Sequence, residues 1–330
     1  MDIVLAGGSG FIGQRLIPVL RAAGHDVRAL SRHPDRDSAD DVPGWGSLRH
    51  VQGDVADGDS LSEPFADADV LIYLVHSLGE DDFERRDAEA AWATALAAKE
   101  AGISRIVYLG GLGEENLTEL SAHLRSRREV EGLLGAGGIP VTVLRAGIIV
   151  GHGSISWEIT RQLVANLPVL LAPQWVSTRS QPIAVDDVVA YLAGVVDSPE
   201  TAGVTYEIGG PDVLTYREML RQAAKVMGHH PRPLLTVPFL TPRLSGKGLR
   251  FVTDVDPDVA ASLVESMGNE VIVRDDAITR LLPRALLSFS EAARLALAER
   301  DAEEKAEQKA EQKADQDADE RDPDPEPQPT

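Results

Sequence analysis

Two residues four positions apart in the stretch AHLRSRREVE, His123 and Arg127, could act together on a bound molecule. Residues with this spacing lie on one face of a helix, and a histidine can accept or release a proton near neutral pH. An arginine keeps its proton, but its guanidinium binds phosphate and hydroxyl groups. We therefore predict His123 and Arg127 as candidate catalytic residues. The alternative is that Arg127 forms a solvated helix surface with Arg125 and Arg128.

A glycine-rich turn occurs in the segment LAGGSGFIG, directly after a predicted strand and directly before a predicted helix. In this setting Gly7 allows a tight turn, Gly10 lets a pyrophosphate approach the backbone, and Gly13 lets helix and strand pack closely. The turn therefore predicts a dinucleotide-binding site. The residues predicted to contact the dinucleotide here are Gly7, Ser9, Gly10, Phe11, Ile12 and Gly13.

Arg32 lies at the end of the second predicted strand, where a site selective for unphosphorylated ribose places an acidic residue. A guanidinium can bind a 2′-phosphate through two parallel hydrogen bonds. We therefore expect the cofactor NADP(H), with NAD(H) as the alternative. Arg32 could instead be an ordinary surface arginine, partly neutralised by Asp35 and Asp37.

The ends of the third and fourth strands supply the remaining candidate cofactor contacts. Asp54 and Val55 follow the third strand, where the carboxylate could accept a hydrogen bond from adenine or cap its own loop. Val75 and His76, followed by Ser77, come after the fourth strand. The carboxyl ends of these strands face a bound nucleotide, so contacts to the nicotinamide ribose are expected here.

Charge and composition exclude several classes of function. The formal charge of −21 at pH 7 disfavours nucleic acids and anionic membranes as general partners. The chain has no cysteine, which rules out disulfides and thiolate metal sites, and its eight histidines are scattered, so we predict no metal site. The first residues already resemble a strand, and no apolar run approaches the roughly 20 residues that span a bilayer, so we expect neither a signal peptide nor a membrane-spanning helix. We therefore expect a cytoplasmic protein.

The scarcity of lysine on an acidic chain is typical of proteins from halophilic organisms.

Apolar strands alternate with helical segments through the first half of the chain, which indicates a parallel sheet buried on both faces. We predict an α/β fold with a Rossmann-type doubly wound parallel sheet and a smaller C-terminal cap region. Residues 1–230 form the predicted extended nucleotide-binding domain, with cap elements from about residue 151. Residues 231–298 complete the cap, over the carboxyl edge of the sheet.

Residues 299–330 form an acidic low-complexity tail with 13 acidic and 5 basic residues. Alanine, glutamate, glutamine and lysine favour a helix, but no apolar stripe could pack it against the protein. We expect a solvated, transiently helical extension that ends in a disordered segment. A role as an interaction tail is the alternative.

The ordered segments AGGSGFIG, GDV, YLVHS, RIVYLGGLG, VLRAGIIVG, QPIAVDDVVAYL and YEIGGPDVLTYREM carry a family resemblance over about residues 1–230. The chain resembles the extended and atypical short-chain dehydrogenase/reductases, and in particular their NmrA-like members. Those are in turn similar to the nucleotide-binding accessory subunit of respiratory complex I. The resemblance implies a bound NAD(P)(H) and an oxidoreductase fold.

The chain departs from that family at the catalytic positions. Catalytic members have a serine or threonine at the end of the fifth strand and a Tyr-x-x-x-Lys on the next helix. Here the strand ends in Gly110 and Gly111, His123 stands at the tyrosine position and Arg127 at the lysine position. Ala6 also replaces the usual threonine before the first glycine.

Three functions follow from the resemblance and this departure. The first is hydride transfer to an unknown carbonyl or quinone-like substrate, with His123 as proton donor. The second is a non-catalytic redox sensor, or an accessory subunit of a respiratory complex resembling NADH dehydrogenase. The third and less favoured is a nucleotide-sugar epimerase or dehydratase. The substrate or protein partner and the oligomeric state stay unassigned.

A few other polar residues have a structural as well as a functional interpretation. Tyr73 and Tyr108 lie within strands and are expected to pack in the core. Arg145 either points into the cleft or is structural. Asp186 or Asp187 is expected to cap the helix that follows it.

Overall fold

The computed structural model describes most of the chain. The described ranges are residues 1–34, 48–80, 82–113, 120–167, 169–172, 174–230, 233–236 and 253–321. Asp35 and Asp37, which the sequence places near Arg32, lie outside these ranges.

Seven parallel strands form the main sheet in the spatial order β11-β6-β5-β4-β1-β2-β3. Their bounds are β1 Asp2–Ala6, β2 Asp26–Ser31, β3 Arg49–Gln52, β4 Val70–Tyr73, β5 Arg105–Gly111, β6 Val141–Ala146 and β11 Thr205–Ile208. The strand order reverses between β1 and β4, and ligands of open α/β sheets bind at such a reversal, outside the carboxyl ends of the strands. The predicted doubly wound parallel sheet is confirmed.

Helices connect these strands and cover both faces of the sheet. Their bounds are α1 Phe11–Ala22, α2 Ser62–Phe65, α3 Phe83–Glu100, α4 Ala122–Gly135, α5 Ile155–Asn166, α6 Val185–Asp197, α7 Tyr216–Val226, α8 Pro257–Ser266, α9 Ala277–Leu281 and α10 Phe289–Arg321. The short strands β7 Ile149–Val150, β8 Leu170–Ala172, β9 Arg179–Ser180, β10 Ile183–Ala184, β12 Leu214–Thr215 and β13 Leu234–Thr236 pair outside the main sheet. Single turns of 3₁₀ helix occur at Gly58–Leu61, Gln174–Ser177 and Pro199–Thr201.

The alternation of side chains along β1 shows why the sheet is covered twice. Ile3 and Leu5 point to one face, where they pack with residues of α1 and α6. Val4 and Ala6 point to the other face, where they pack with residues of α3 and α4. Successive residues of a strand point to opposite sides, so a strand that is apolar throughout needs helices on both. Each such aliphatic side chain contributes roughly 1.5–3 kcal/mol by leaving water.

A third apolar core lies in the cap and holds the C-terminal half of the chain together. Trp157 of α5, Met219 of α7, Val264 of α8 and Phe289 of α10 are all buried in it. The Trp157 and Phe289 rings meet edge to face, with centroids 6.3 Å apart. This core fixes α8 above the carboxyl edge of the sheet, where the sequence predicted a cap.

Helix α10 leaves the cap core and continues as the acidic extension. It runs to Arg321, and residues 301–312 are exposed on every side. The composition favours a helix here, while the lack of an apolar stripe leaves it solvated. The disordered end predicted beyond it, from residue 322, lies outside the described residues.

Two kinds of feature are not found in the described ranges. No helix there combines the length and apolar character needed to cross a lipid bilayer. Those ranges also contain no group of three or more side chains of histidine, cysteine, aspartate or glutamate that could hold a metal ion.

Candidate functional site

Two cavities open at the carboxyl ends of the sheet strands. The first cavity has a volume of about 410 Å³ and lies beside the ends of β4, β5 and β6. The second cavity has a volume of about 320 Å³ and lies beside the ends of β1, β2 and β3. Gly7 and His76 line both, so the two cavities meet where the strand order reverses. An extended ligand could therefore occupy both cavities.

Every residue predicted from the sequence to belong to the site lines one of these cavities. The first is lined by Gly7, Gly10, Phe11, Ile12, Gly13, His76, His123 and Arg127. The second is lined by Gly7, Ser9, Arg32, Asp54, Val55, Val75 and His76. The fold thus brings together residues that are up to 120 positions apart in the sequence. Their individual roles toward a ligand stay predictions.

The glycine turn has the geometry that a pyrophosphate site needs. Gly7 has a φ of +90°, a conformation that favours glycine. A Cβ atom at Gly13 would lie 2.3 Å from the carbonyl oxygen of Gly7 and 2.6 Å from that of Gly8. No side chain caps the N-terminus of α1 at Gly10. Because the first N–H groups of a helix have no partner within it, this end can bind an anion.

The second cavity is lined by a cation at the end of β2 and a carboxylate after β3. The Arg32 side chain is exposed, and no carboxylate in the described ranges pairs with it. Asp54 accepts a hydrogen bond from the backbone N–H of Ala56 at 3.0 Å, so it caps its loop as well as lining the cavity. A cation at the end of β2 beside a small polar cavity is the arrangement expected for a 2′-phosphate.

Sequence reasoning missed three polar residues of the second cavity. His33 follows Arg32 directly, and Glu80 and Arg86 come from the loop after β4 and from α3. Arg86 pairs with Glu80 at 2.8 Å, which leaves this side of the cavity nearly neutral. No sequence motif predicts Arg86 as a site residue, because α3 reaches the cavity only when the helix packs against the sheet.

His123 and Arg127 lie on the face of α4 that lines the first cavity, as their spacing predicted. The two neighbouring arginines on α4 contact other groups. Arg125 pairs with Glu84 at 3.4 Å, while Arg128 donates to the carbonyl oxygen of Gly113 at 3.1 Å. The alternative of one solvated basic surface is therefore wrong for Arg127.

Burial, together with the charge of Arg127, lowers the pKa of both histidines of the first cavity. Burial, then the positive charge of Arg127 and then His76, lower the pKa of His123 to about 3. Desolvation and the charge of Arg127 also lower the pKa of His76, but the side chain of this residue is exposed to solvent, which weakens the desolvation. Both imidazoles are therefore neutral at pH 7. A neutral imidazole can donate one hydrogen bond, but it has no acidic proton to release, so this electrostatic setting opposes His123 as proton donor.

Gly111 and two buried tyrosines set the position of α4. A Cβ atom at Gly111 would lie 2.8 Å from Cδ2 of Leu124, so the glycine allows α4 to approach the end of β5. Tyr73 and Tyr108 are buried side by side with ring centroids 6.2 Å apart, which confirms their predicted core packing. The Tyr108 hydroxyl donates to the carbonyl oxygen of Arg127 at 3.3 Å. The sheet thus supports α4 directly beneath Arg127.

The cap supplies a wall of the first cavity that the sequence predicted only as a region. Leu263 and Met267 line the cavity from α8 and its C-terminal end. The hydroxyls of Ser121 and Ser266 lie 2.8 Å apart, and Ser121 also caps α4 by accepting from the backbone N–H of Leu124. The backbone N–H of Ser121 also donates to Oδ1 of Asn269 at 3.2 Å, so two hydrogen bonds join the cap to the start of the helix that carries His123 and Arg127.

The structure decides the role of Arg145, which the sequence left open, and corrects the predicted role of Asp186 and Asp187. Arg145 forms a two-pronged ion pair with Glu131, with nitrogen to oxygen distances of 2.5 and 3.0 Å, so it is structural and does not enter the cleft. The N-cap of α6 is Ala184, and no side chain caps that helix. Asp187 is instead fully buried, where it accepts from the backbone N–H of Leu287 and pairs with Arg284. A capping role for these acids is wrong, because the Asp187 carboxylate joins α6 to the segment before α10.

Comparison with known proteins agrees with this geometry. The family model described as NAD(P)H-binding matches residues 7–173. The chain belongs to this NAD(P)H-binding family. It is 30% identical over 235 residues to a ceramide reductase from Caulobacter vibrioides, covering 70% of this chain and 72% of that protein. The predicted binding of NAD(P)(H) by an oxidoreductase-like chain is confirmed.

The predicted similarity to a respiratory subunit is also confirmed. The mitochondrial NADH dehydrogenase [ubiquinone] 1 alpha subcomplex subunit 9 of Arabidopsis thaliana is 29% identical over 237 residues, which cover 68% of this chain. The match spans only 58% of the length of that subunit.

Solved structures share the fold over almost the whole chain. An NADPH-dependent quinone oxidoreductase from Escherichia coli, complexed with NADPH, has a TM-score of 0.68 and 20% identity, covering 88% of this chain and 98% of that one. A nucleoside-diphosphate-sugar epimerase from Staphylococcus aureus has a TM-score of 0.71 and 16% identity, covering 89% and 100%. At these identities the likeness concerns the fold alone.

Proposed function

We propose that the chain is an NADPH-preferring reductase that delivers hydride to a substrate held in the first cavity. The observation that carries this proposal is the meeting of the two cavities at Gly7 and His76. A dinucleotide bound with its adenosine half in the second cavity extends past the glycine turn into the first. That cavity also offers space next to His123 and Arg127 for a second molecule.

The protein's own groups bind and orient the dinucleotide. The uncapped N-terminus of α1 binds the pyrophosphate, while Arg32 binds the 2′-phosphate. Asp54 and Val55 line the adenosine side. When bound, the dinucleotide supplies the hydride from its nicotinamide ring.

Arg127 and His123 act on the substrate in different ways. Arg127 carries a fixed positive charge that stabilises negative charge developing on a substrate oxygen. His123 is neutral and donates a hydrogen bond to orient that oxygen. The apolar wall formed by Leu263 and Met267 excludes water from the reacting atoms.

A non-catalytic role is the second candidate, and the altered catalytic positions favour it. The chain lacks the tyrosine, the lysine and the serine or threonine that catalytic relatives use, and both histidines of the first cavity are neutral. In that case the chain binds the dinucleotide tightly without turnover, as a redox sensor or as a subunit of a larger electron-transfer complex. Its similarity to an NADH dehydrogenase subunit is compatible with this role.

Cofactor preference is tested by fluorescence titration with NADPH and with NADH. We expect Arg32→Gln to raise the Kd for NADPH about tenfold or more, as expected for the loss of a charge-assisted contact worth about 1.5–3 kcal/mol. The Kd for NADH should change much less. Arg49→Gln is the matched control, since this exposed arginine lies on neighbouring β3 and lines neither cavity. Gly10→Asp should abolish the binding of both nucleotides, because it places a carboxylate in the pyrophosphate site.

Turnover decides between the two candidates. Purified protein loaded with NADPH is mixed with carbonyl compounds and quinones, and oxidation is followed by the loss of nicotinamide absorbance. Oxidation that depends on the second compound and is lost in Gly10→Asp establishes a reductase. Tight binding of NADPH without oxidation in any mixture would instead establish the non-catalytic role.

A further inference from the structure

The first cavity combines apolar walls with a cation, Arg127, that has no acidic partner among the residues that the structure describes. Six of its lining side chains are Leu78, Leu112, Ile148, Ile155, Leu263 and Met267. Arg127 also lines it, and within the described ranges no carboxylate lies at ion-pairing distance from its guanidinium. Arg125 and Arg128 on the same helix both contact glutamates. An unpaired cation in apolar surroundings is costly unless an anion meets it there.

The described residues that line this cavity include no group that would release a proton near neutral pH. Its described lining residues include no carboxylate and no lysine. The titratable groups that line it are His76, His123, Arg127 and Tyr216. Burial and Arg127 hold the pKa of both histidines low, and burial raises the pKa of Tyr216. Tyr73 and Tyr108, which lie behind Arg127, also have raised pKa values because they are buried.

This combination limits the substrates that the site can reduce. Hydride addition to an isolated ketone produces an alkoxide, which is so basic that a proton donor must act during the reaction. Hydride addition to a carbonyl conjugated with a double bond produces an enolate, or a phenolate from a quinone. Such an anion is far less basic, because its charge is delocalised, and a fixed cation can hold it without a proton.

We propose that the first cavity selects apolar conjugated carbonyl compounds, and that Arg127 holds the delocalised oxyanion formed when they are reduced. This inference rests on the proposed function. In the reaction a ring C–H bond of the reduced nicotinamide breaks and its hydride forms a C–H bond at the β-carbon, the π electrons of the double bond move toward the carbonyl, and the carbonyl oxygen takes the negative charge. The nicotinamide is oxidised by two electrons. The enolate takes a proton from water when it leaves the cavity.

Two compounds that differ only in the conjugated double bond test the selectivity. We expect NADPH to reduce 4-phenyl-3-buten-2-one to 4-phenyl-2-butanone in the presence of the protein, and the second compound not to react further. The rate should be nearly constant from pH 6 to 9, because none of the groups that line the cavity titrates in that range. Arg127→Met should lower kcat at least tenfold, while Arg127→Lys should retain most of it. Arg125→Gln is the control, since Arg125 lines neither cavity.

Binding of 4-nitrophenol to the protein without nucleotide gives a readout that does not depend on turnover. Its anion resembles the delocalised oxyanion and absorbs in the visible range. The pKa of bound 4-nitrophenol should fall by about one unit in the wild type and in Arg127→Lys, because a nearby cation favours the charged form. It should stay unchanged in Arg127→Met.

The possible results separate this inference from the proposed function. Equal reduction of the saturated ketone, with a rate that falls as pH rises, would show that a proton donor acts and would overturn the inference while leaving a reductase. An unchanged pKa of bound 4-nitrophenol would overturn the role of Arg127. Tight NADPH binding with no oxidation by either compound would overturn the reductase and the inference together.

Discussion

At Gly13 the missing side chain matters more than the backbone conformation. The carbonyl oxygens of Gly7 and Gly8 occupy the space that a Cβ atom would need, at 2.3 and 2.6 Å. Both are backbone atoms of the turn itself, so they cannot move without changing the pyrophosphate site. Both the packing of α1 and the proposed binding of the pyrophosphate therefore require that α1 lies close to this turn.

Gly13→Ala should lower the free energy of unfolding by about 1–3 kcal/mol, the usual range for overpacking, and should weaken NADPH binding more than tenfold. Gly132→Ala is the matched control. Gly132 lies exposed within α4 with open space at its Cβ position, so alanine there should stabilise the protein by up to about 1 kcal/mol. Denaturant unfolding and fluorescence titration measure both effects. Equal stability of the two variants would contradict this account of the turn.

Helix α10 connects the acidic extension to the edge of the nucleotide site. Its buried residues Phe289 and Ala296 belong to the cap core. One turn later Glu299 pairs with Arg15 of α1 at 2.8 Å, and Glu303 pairs with His152 at 2.5 Å. Beyond these contacts residues 304–312 are exposed to solvent. Glu299 and Glu303 therefore attach the first part of the extension to the protein.

Truncation after Ala298 should lower Tm by about 2–4 °C at low salt, since each partly exposed ion pair contributes up to about 1 kcal/mol. Truncation after Gln312 keeps both pairs and should leave Tm unchanged. The difference between the two truncated proteins should shrink at high salt, because salt screens the pairs. Thermal unfolding at two salt concentrations measures this. Identical Tm values at low salt would show that the pairs contribute nothing.

At the scale of the whole molecule, three apolar cores surround one ligand site. Two lie on the faces of the sheet and the third lies in the cap. The second cavity is formed by the sheet half alone, whereas the first cavity is closed by cap residues such as Met267. In the proposed binding mode, the adenosine half and the nicotinamide half of the dinucleotide would therefore contact walls of different origin.

Fragments of the dinucleotide should bind to the two cavities independently. Adenosine 2′,5′-bisphosphate is expected in the second cavity and nicotinamide mononucleotide in the first, each with little effect on the Kd of the other. NADPH should displace both and bind far more tightly than either, since joining two ligands makes the second contact intramolecular. Titration calorimetry with one fragment in the presence of the other measures this. Competition between the two fragments would contradict the division of the site.

Patterns in the sequence predicted the fold and the residues that line the two cavities. Uniformly apolar strands such as residues 2–6 require helices on both faces, and the glycine spacing at residues 7–13 restricts the turn to a phosphate-binding form. The spacing of His123 and Arg127 placed both on one helix face. These are local patterns, which depend on the period of a strand or a helix and on the space around a missing side chain. The acidic, lysine-poor composition predicts a halophilic source, which stays a prediction.

Only the tertiary structure decided which of these polar groups is free to meet a ligand. Arg125, Arg127 and Arg128 are alike in the sequence, yet only Arg127 faces the first cavity without an acidic partner in the described ranges. Arg145 is held by Glu131 from another element. The neutral state of His123 depends on burial beneath the cap and on the charge beside it. Partners, burial and electrostatic fields come from residues far apart in the chain, so they exist only once the sheet, α4 and the cap are packed together.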